Sequence, residues 1–218
     1  VDEYFEFACD IVSDMLINSK FSPNDIDREK NVILEEIKMY EDTPDEQVHD
    51  ILAKTLWQNH PLGRPIIGFN DVIEGLTRDK IVEFYKEHYI PSNIIVAVAG
   101  NVEHERVVEK LNSVLGYIGP ETRERVLHKP EPHREVSFRK KNTEQVHICI
   151  GTSGLPLGDK NVYVFQLLNT IMGGGISSRL FQQIREQRGL VYSVFSYHSS
   201  YYDGGIFCTY LGLSQANV

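Results

Sequence analysis

The sequence predicts an α+β fold: parts of two similar sheet-plus-helices domains joined by a linker. Three observations carry this. Residues 1–118 are mostly amphipathic helical patterns, with one short apolar run, "NIIVAVAG", that suits a buried strand. Residues 119–134 hold three prolines and many charges with no apolar period, the composition of a connecting segment. Residues 135–218 then alternate apolar and polar positions in several stretches, the period-2 signature of strands. The expected division is therefore a first domain over 1–118, a linker over 119–134 and a second domain over 135–218.

The elements follow in order. Tyr4, Phe5, Val12, Met15 and Leu16 form the apolar stripe of a first helix over residues 1–18. "SPND" over 22–25 starts a second: Ser22 caps, Pro23 takes the first helical position and Asp25 faces the positive end. "TPDE" over 43–46 repeats that signal and predicts a third helix to about Trp57. "NHPLGRPIIGF" reads as a loop, after which Thr77 caps a helix to about His88. A buried strand is expected over 93–100, then a helix over 103–117 with Val107, Val108, Leu111 and Leu115 inward. Beyond the linker, "EVSFRKK" and "EQVHICIGT" both alternate as strands, the second with Val146, Ile148 and Ile150 on one face. Helices over 161–171 and 177–188 flank "MGGG", and Gly189 ends the second. "VYSVFSYHSSYYDGGIFCTYLGL" predicts a hairpin turning at "DGG".

The bulk numbers exclude some classes of function. A net charge of −9, with no basic cluster beyond "RKK" at 139–141, argues against a nucleic-acid partner. No apolar run approaches the roughly 20 residues of a membrane span, so no membrane-crossing helix is expected. The opening "VDEYFEFACD" is acidic, unlike a signal or transit peptide, and Val1 stands directly inside a helix pattern. Cys9, Cys149 and Cys208 form no Cys-x-x-Cys pair, and their odd number suits a reducing compartment.

Chemistry is sought first in "REKNVILEEIKMYED" (28–42). Two helical turns bring Glu29 and Glu36 onto one face with Ile33, Ile37 and Tyr40, while Glu35 points about 100° away. The bland reading is two carboxylates on a solvated face. The sharper one rests on the apolar company of these acids, because a buried carboxylate needs a cation or metal as partner. Their α-carbons lie roughly 10 Å apart, so they cannot share one ion, although one can ligate while the other orients. No His-x-x-Glu-His occurs: "FYKEH" and "GNVEH" have Phe84 and Gly100 where the first histidine belongs. All eight histidines read as surface, loop or packing residues, and the cysteines carry no nucleophile signature. "GGGISS" lacks the Lys-Ser/Thr of a phosphate loop and reads as a turn with Ser177 as cap. In "RLFQQIREQRGLVYSV" a helix-to-strand corner at Gly189 places Arg185 and Tyr192 to aim a guanidinium and a phenol at one point. A basic helix with a core tyrosine is the plain alternative.

"DREKNVILEEIKMYEDTPDEQVHDILAKTLWQNHPLGRPIIG", "YIPSNIIVAVAGNV" and "GGGISSRLFQQIREQRGLVYSVFS" closely resemble segments of the pitrilysin/insulinase family of zinc metallopeptidases, nearest its processing-peptidase branch. The resemblance spans nearly the whole chain. It implies a zinc-dependent endopeptidase that cleaves peptides or unfolded protein segments in an enclosed chamber, with one zinc per complete active site. It further implies Glu36 as a zinc ligand, Glu29 as the supporting acid outside the metal shell, and Arg185 with Tyr192 as substrate contacts. The branch works as pairs of two-domain chains, so a homodimer or paired subunit is expected, in bacterial cytoplasm rather than mitochondrial matrix. The departure is the missing His-x-x-Glu-His, which in the family lies further upstream of Glu36 than the 35 residues present. The expectation is a piece of a two-domain peptidase, inactive alone. The competing expectation is a non-catalytic family member serving as scaffold or peptide-binding subunit.

Overall fold

The computed structural model describes residues 2–116 and 126–218, so residues 119–125 of the expected linker lie outside the described residues. The chain combines helices with a three-stranded antiparallel sheet, the expected α+β class. It falls into two compact units, one drawn from Val1–Val32 and Asp71–Arg125, the other from Ile33–Asn70 and Val126–Val218.

The first unit is helical. Helix α1 (Phe5–Ile17) buries Phe5, and helix α2 (Pro23–Glu41), which belongs to the second unit from Ile33 onward, begins where Ser22 Oγ accepts from the amide of Asp25. Helix α3 (Pro44–Leu56) belongs to the second unit. Helix α4 (Asn70–Glu74), unanticipated in the sequence, is followed by α5 (Arg78–His88), whose cap Thr77 accepts from Lys80 N at 3.3 Å, and α6 (His104–Leu115). Lys30 Nζ donates to the carbonyls of Glu74 and Leu76 at 2.7 and 3.1 Å, which satisfies the end of α4. Arg78 Nε donates to the carbonyl of Phe21 at 2.8 Å, and Tyr85 donates to that of Leu16, tying α5 to the α1–α2 turn. Lys110 meets Asp10 at 2.6 Å and Arg106 meets Glu6 at 3.0 Å between α6 and α1.

The strand expected over 93–100 is absent. Residues 91–93 form a 3₁₀ turn, and the chain then runs on without a strand partner among the described residues. Ile95 is 92% exposed and Val96 and Val98 are about half exposed. The run is apolar enough to be a buried strand, but burial of a strand requires a neighbour for its backbone. With α1, α5 and α6 it lines an apolar cavity of about 780 Å³. Val108, expected inward on α6, is 42% exposed.

The second unit is built on strands β1 (Gln145–Ser153), β2 (Ser193–Ser200) and β3 (Gly205–Ser214), ordered β1-β3-β2. The hairpin forms where the sequence puts it, with Tyr201 N donating to Gly204 O at 2.8 Å. Register sets Cys149 opposite Tyr210 and Cys208 opposite both Gly151 and Tyr197. On this face Ile206 packs with Leu56 and Trp57 at the end of α3. The opposite face packs Val194 and Leu213 with Val191, Leu180, Phe181 and Ile184, and helix α7 (Val162–Gly173) covers β2. Gly173 permits that contact: a Cβ there would stand 2.3 Å from Ser196 N.

Two local expectations are corrected here. Thr43 does not cap α3 through its side chain; its hydroxyl donates back to Met39 O at 3.0 Å, closing α2 instead. "EVSFRKK" is no strand, because its polar groups turn to α3 and its approaches. His133 N donates to Leu56 O at 2.8 Å, Arg139 Nη1 to Gln47 Oε1 at 3.2 Å, and Lys141 Nζ meets Asp42 Oδ1 at 3.0 Å.

Candidate metal ligand and substrate contacts

Helix α2 is regular through Glu29, Glu35 and Glu36, so the three acids take the directions that helical spacing dictates. Their partners separate them. Lys38 Nζ meets Glu35 Oε1 at 2.6 Å, whereas Glu29 and Glu36 are exposed and make no hydrogen bond or ion pair among the described residues. The residues sharing their face are less exposed: Ile37 is buried and Ile33 half-buried. Tyr40 donates to Glu46 O at 3.1 Å, and burial, with Asp50 adding to it, pushes its phenol up so that it stays neutral.

Glu36 suits a zinc ion as one donor, an accessible carboxylate on a regular helix with no cation partner among the described residues. Among the described residues Glu36 belongs to no group of three His, Cys or acidic side chains whose ligand atoms could share an ion. Among the described residues one group of three His, Cys or acidic side chains has ligand atoms close enough to share an ion, and it is His49, Cys149 and Cys208. No local motif marks that trio in the sequence. Its convergence depends on strand register and on the packing of α3, which spacing along the chain does not reveal.

Arg185 and Tyr192 are brought together. The helix expected over 177–188 is shorter, with a π-helical turn over Phe181–Glu186, a geometry frequent at functional sites. Gly189 adopts φ 60°, and Leu190 N donates to Ile184 O at 3.1 Å as the chain swings into β2. Arg185 Nε then donates to the backbone carbonyl of Tyr192 at 2.8 Å, not to its phenol. Nη1 reaches Glu186 at 3.0 Å, and the guanidinium lies 4.7 Å over the Phe181 ring. The Tyr192 side chain is 60% exposed, and its amide donates to Gly212 O at 2.8 Å. The corner thus fixes the arginine and presents the phenol outward.

Comparison with known proteins agrees over nearly the whole chain. Residues 1–69 match the family described as insulinase (peptidase family M16), and residues 75–218 match the peptidase M16 inactive domain. An uncharacterized zinc protease of Bacillus subtilis is 42% identical over 97% of this chain and 52% of its own length. Another, of Streptomyces coelicolor, is 39% identical over 100% of this chain and 49% of its own. The chain spans about half the length of the curated relatives it matches. The same fold occurs in the peptidase M16 inactive domain of Pseudomonas fluorescens, at TM-score 0.87 and 22% identity over 95% of this chain and 51% of that one. It also occurs in a protease of Helicobacter pylori, at TM-score 0.87 and 19% identity, covering 98% of this chain and 53% of that one.

Proposed function

The chain belongs to peptidase family M16, the insulinase family, and we propose that it forms part of a zinc-dependent endopeptidase cleaving peptides or unfolded protein segments in an enclosed chamber. The observation that carries the proposal is Glu36, an exposed carboxylate without a cation partner among the described residues, at the position where the sequence resemblance implies the family's zinc glutamate. In this reading Glu36 is a zinc ligand and Glu29, two helical turns earlier, orients the ligand shell. Zinc, when bound, supplies a water nucleophile at neutral pH. The chain's remaining contribution is to hold substrate. Arg185, anchored through Nε to the Tyr192 carbonyl, donates from its outer nitrogens to a peptide carbonyl, and the Tyr192 phenol adds a second donor. The proposed working form is a homodimer or paired subunit in bacterial cytoplasm, in which a longer chain brings its His-x-x-Glu-His to Glu36. The relatives named zinc proteases support this reading.

A second reading has its own observation. The inactive-domain match covers residues 75–218, and that suits a non-catalytic scaffold or peptide-binding subunit. Zinc content and peptide hydrolysis of the full-length protein decide between them, with Glu36→Gln beside the wild type. The peptidase reading expects about one catalytic zinc per chain, and a loss of activity of at least about a hundredfold in the variant. A full-length protein that hydrolyses nothing and is unchanged by Glu36→Gln overturns it in favour of the scaffold.

A further inference from the structure

We propose that His49, Cys149 and Cys208 form a second metal site, separate from Glu36, for a thiophilic ion of the zinc class that staples helix α3 to the sheet. Their ligand atoms all lie within 4.8 Å of one another, and His49 Nδ1 stands 3.4 Å from Cys149 Sγ. Zinc bonds of about 2.3 Å to sulfur and about 2.0 Å to nitrogen, in tetrahedral directions, separate donors by about 3.5–3.8 Å. The trio therefore needs a contraction of no more than about 1.3 Å on its widest side to reach that geometry.

The three donors come from three elements, each placed for a physical reason. Cys149 on β1 and Cys208 on β3 share a sheet face because they sit diagonally across an antiparallel pair: Cys149 faces Tyr210 and Gly151 faces Cys208. Helix α3 lies over that face, close enough at Gly151 that a Cβ there would stand 2.7 Å from Leu52. One turn earlier on the helix, His49 enters a cage of rings, with centroids 5.4 Å from Tyr210, 5.3 Å from Tyr197 and 6.2 Å from Phe195. These rings hold the imidazole over the thiols. Tyr197 Oη lies 2.8 Å from the same Nδ1 and also hydrogen-bonds Cys208.

The chemistry of the pair favours a cation. Cys208 has no exposed surface, and Cys149, His49 and Tyr197 all surround its sulfur within hydrogen-bonding reach. Two cysteine sulfurs with one imidazole are a soft donor set, which selects zinc-class ions over calcium or magnesium. Binding would release the protons that the two thiols carry and leave two thiolates and one imidazole as ligands.

Cobalt(II) added to the reduced 218-residue chain tests this. The expected result is a near-ultraviolet thiolate-to-cobalt band saturating at about one ion per chain, displaced by zinc. Cys149→Ser, Cys208→Ser and their double variant lose the band, while Glu36→Gln keeps it. An alkylation readout in the wild type guards against variants that misfold. In partial denaturant zinc is expected to slow alkylation of Cys149 and Cys208 at least about tenfold, and to leave Cys9, in the other unit, unaffected. No band in the wild type, a band surviving in the double variant, or equal alkylation of all three cysteines with and without zinc each overturns the proposal. So does a mass two hydrogens lower under mild oxidation with no metal uptake after reduction, which would make the pair a disulfide.

Discussion

Gly173 and Gly175 belong to one glycine run but face opposite demands. A Cβ at Gly173 would lie 2.3 Å from Ser196 N and 2.5 Å from Ser196 Oγ, and a ladder nitrogen cannot swing aside. At Gly175 nothing lies within 4 Å. Gly173→Ala is therefore expected to destabilise by about 1–3 kcal/mol and Gly175→Ala by no more than about 0.5 kcal/mol, read from denaturant melts. Equal effects would mean that α7 does not seat on β2 as described. His198, on the same sheet face, accepts a hydrogen bond from Leu155 N at 3.0 Å and packs 4.6 Å from the Phe165 ring. Burial lowers its pKa, so the folded state holds fewer protons than the unfolded state. Its contribution is complete above the unfolded value of about 6.5 and is lost as pH falls below it toward the lowered native value. The melting temperature should accordingly decline from pH 7.5 to 5.5, and His198→Gln should flatten that slope.

The run over 94–98 shows what an element needs beyond its own residues. Its composition is that of a buried strand, and the structure leaves it exposed along the apolar cavity beside α1, α5 and α6. An open apolar surface of this kind recruits hydrophobic dyes and other chains. The 218-residue chain is expected to bind a dye such as anilinonaphthalene sulfonate, and the double change Ile95→Asp and Val96→Asp should weaken that markedly with little change in melting temperature. Absence of dye binding in the wild type would show that something already covers the run. The legibility of other elements divides on the same physics. Helices α2 and α5 could be read because Ser22 and Thr77 announce them locally. The β2–β3 hairpin could be read because its turn chemistry and alternation agree. "EVSFRKK" misled because alternation alone does not say whether a backbone will find a ladder or, as here, the side of a helix. At the site, Lys38 engages Glu35 and leaves Glu29 and Glu36 without an ion pair among the described residues, and the Gly189 corner sets Arg185 against the Tyr192 backbone carbonyl rather than beside its phenol. The His49–Cys149–Cys208 trio stayed invisible, since residues 100 and 59 apart in sequence meet only through register.

For the molecule as a whole, the arithmetic of ligands decides what the 218-residue chain can do. A catalytic zinc is held by three protein donors with one position open. Glu36, the proposed ligand, belongs to no group of three possible donors among the described residues, and the sequence has no His-x-x-Glu-His. Added zinc should therefore yield no peptide hydrolysis by the 218-residue chain above the buffer rate. Metal retained after desalting should follow Cys149 and Cys208, and Glu36→Gln should leave it unchanged. In the longer chain the two dependences should separate: Glu36→Gln removes hydrolysis and one zinc, while Cys149→Ser removes the other zinc and lowers the melting temperature. Zinc-dependent hydrolysis by the 218-residue chain that Glu36→Gln abolishes would refute this division. It would place a full set of ligands within these residues.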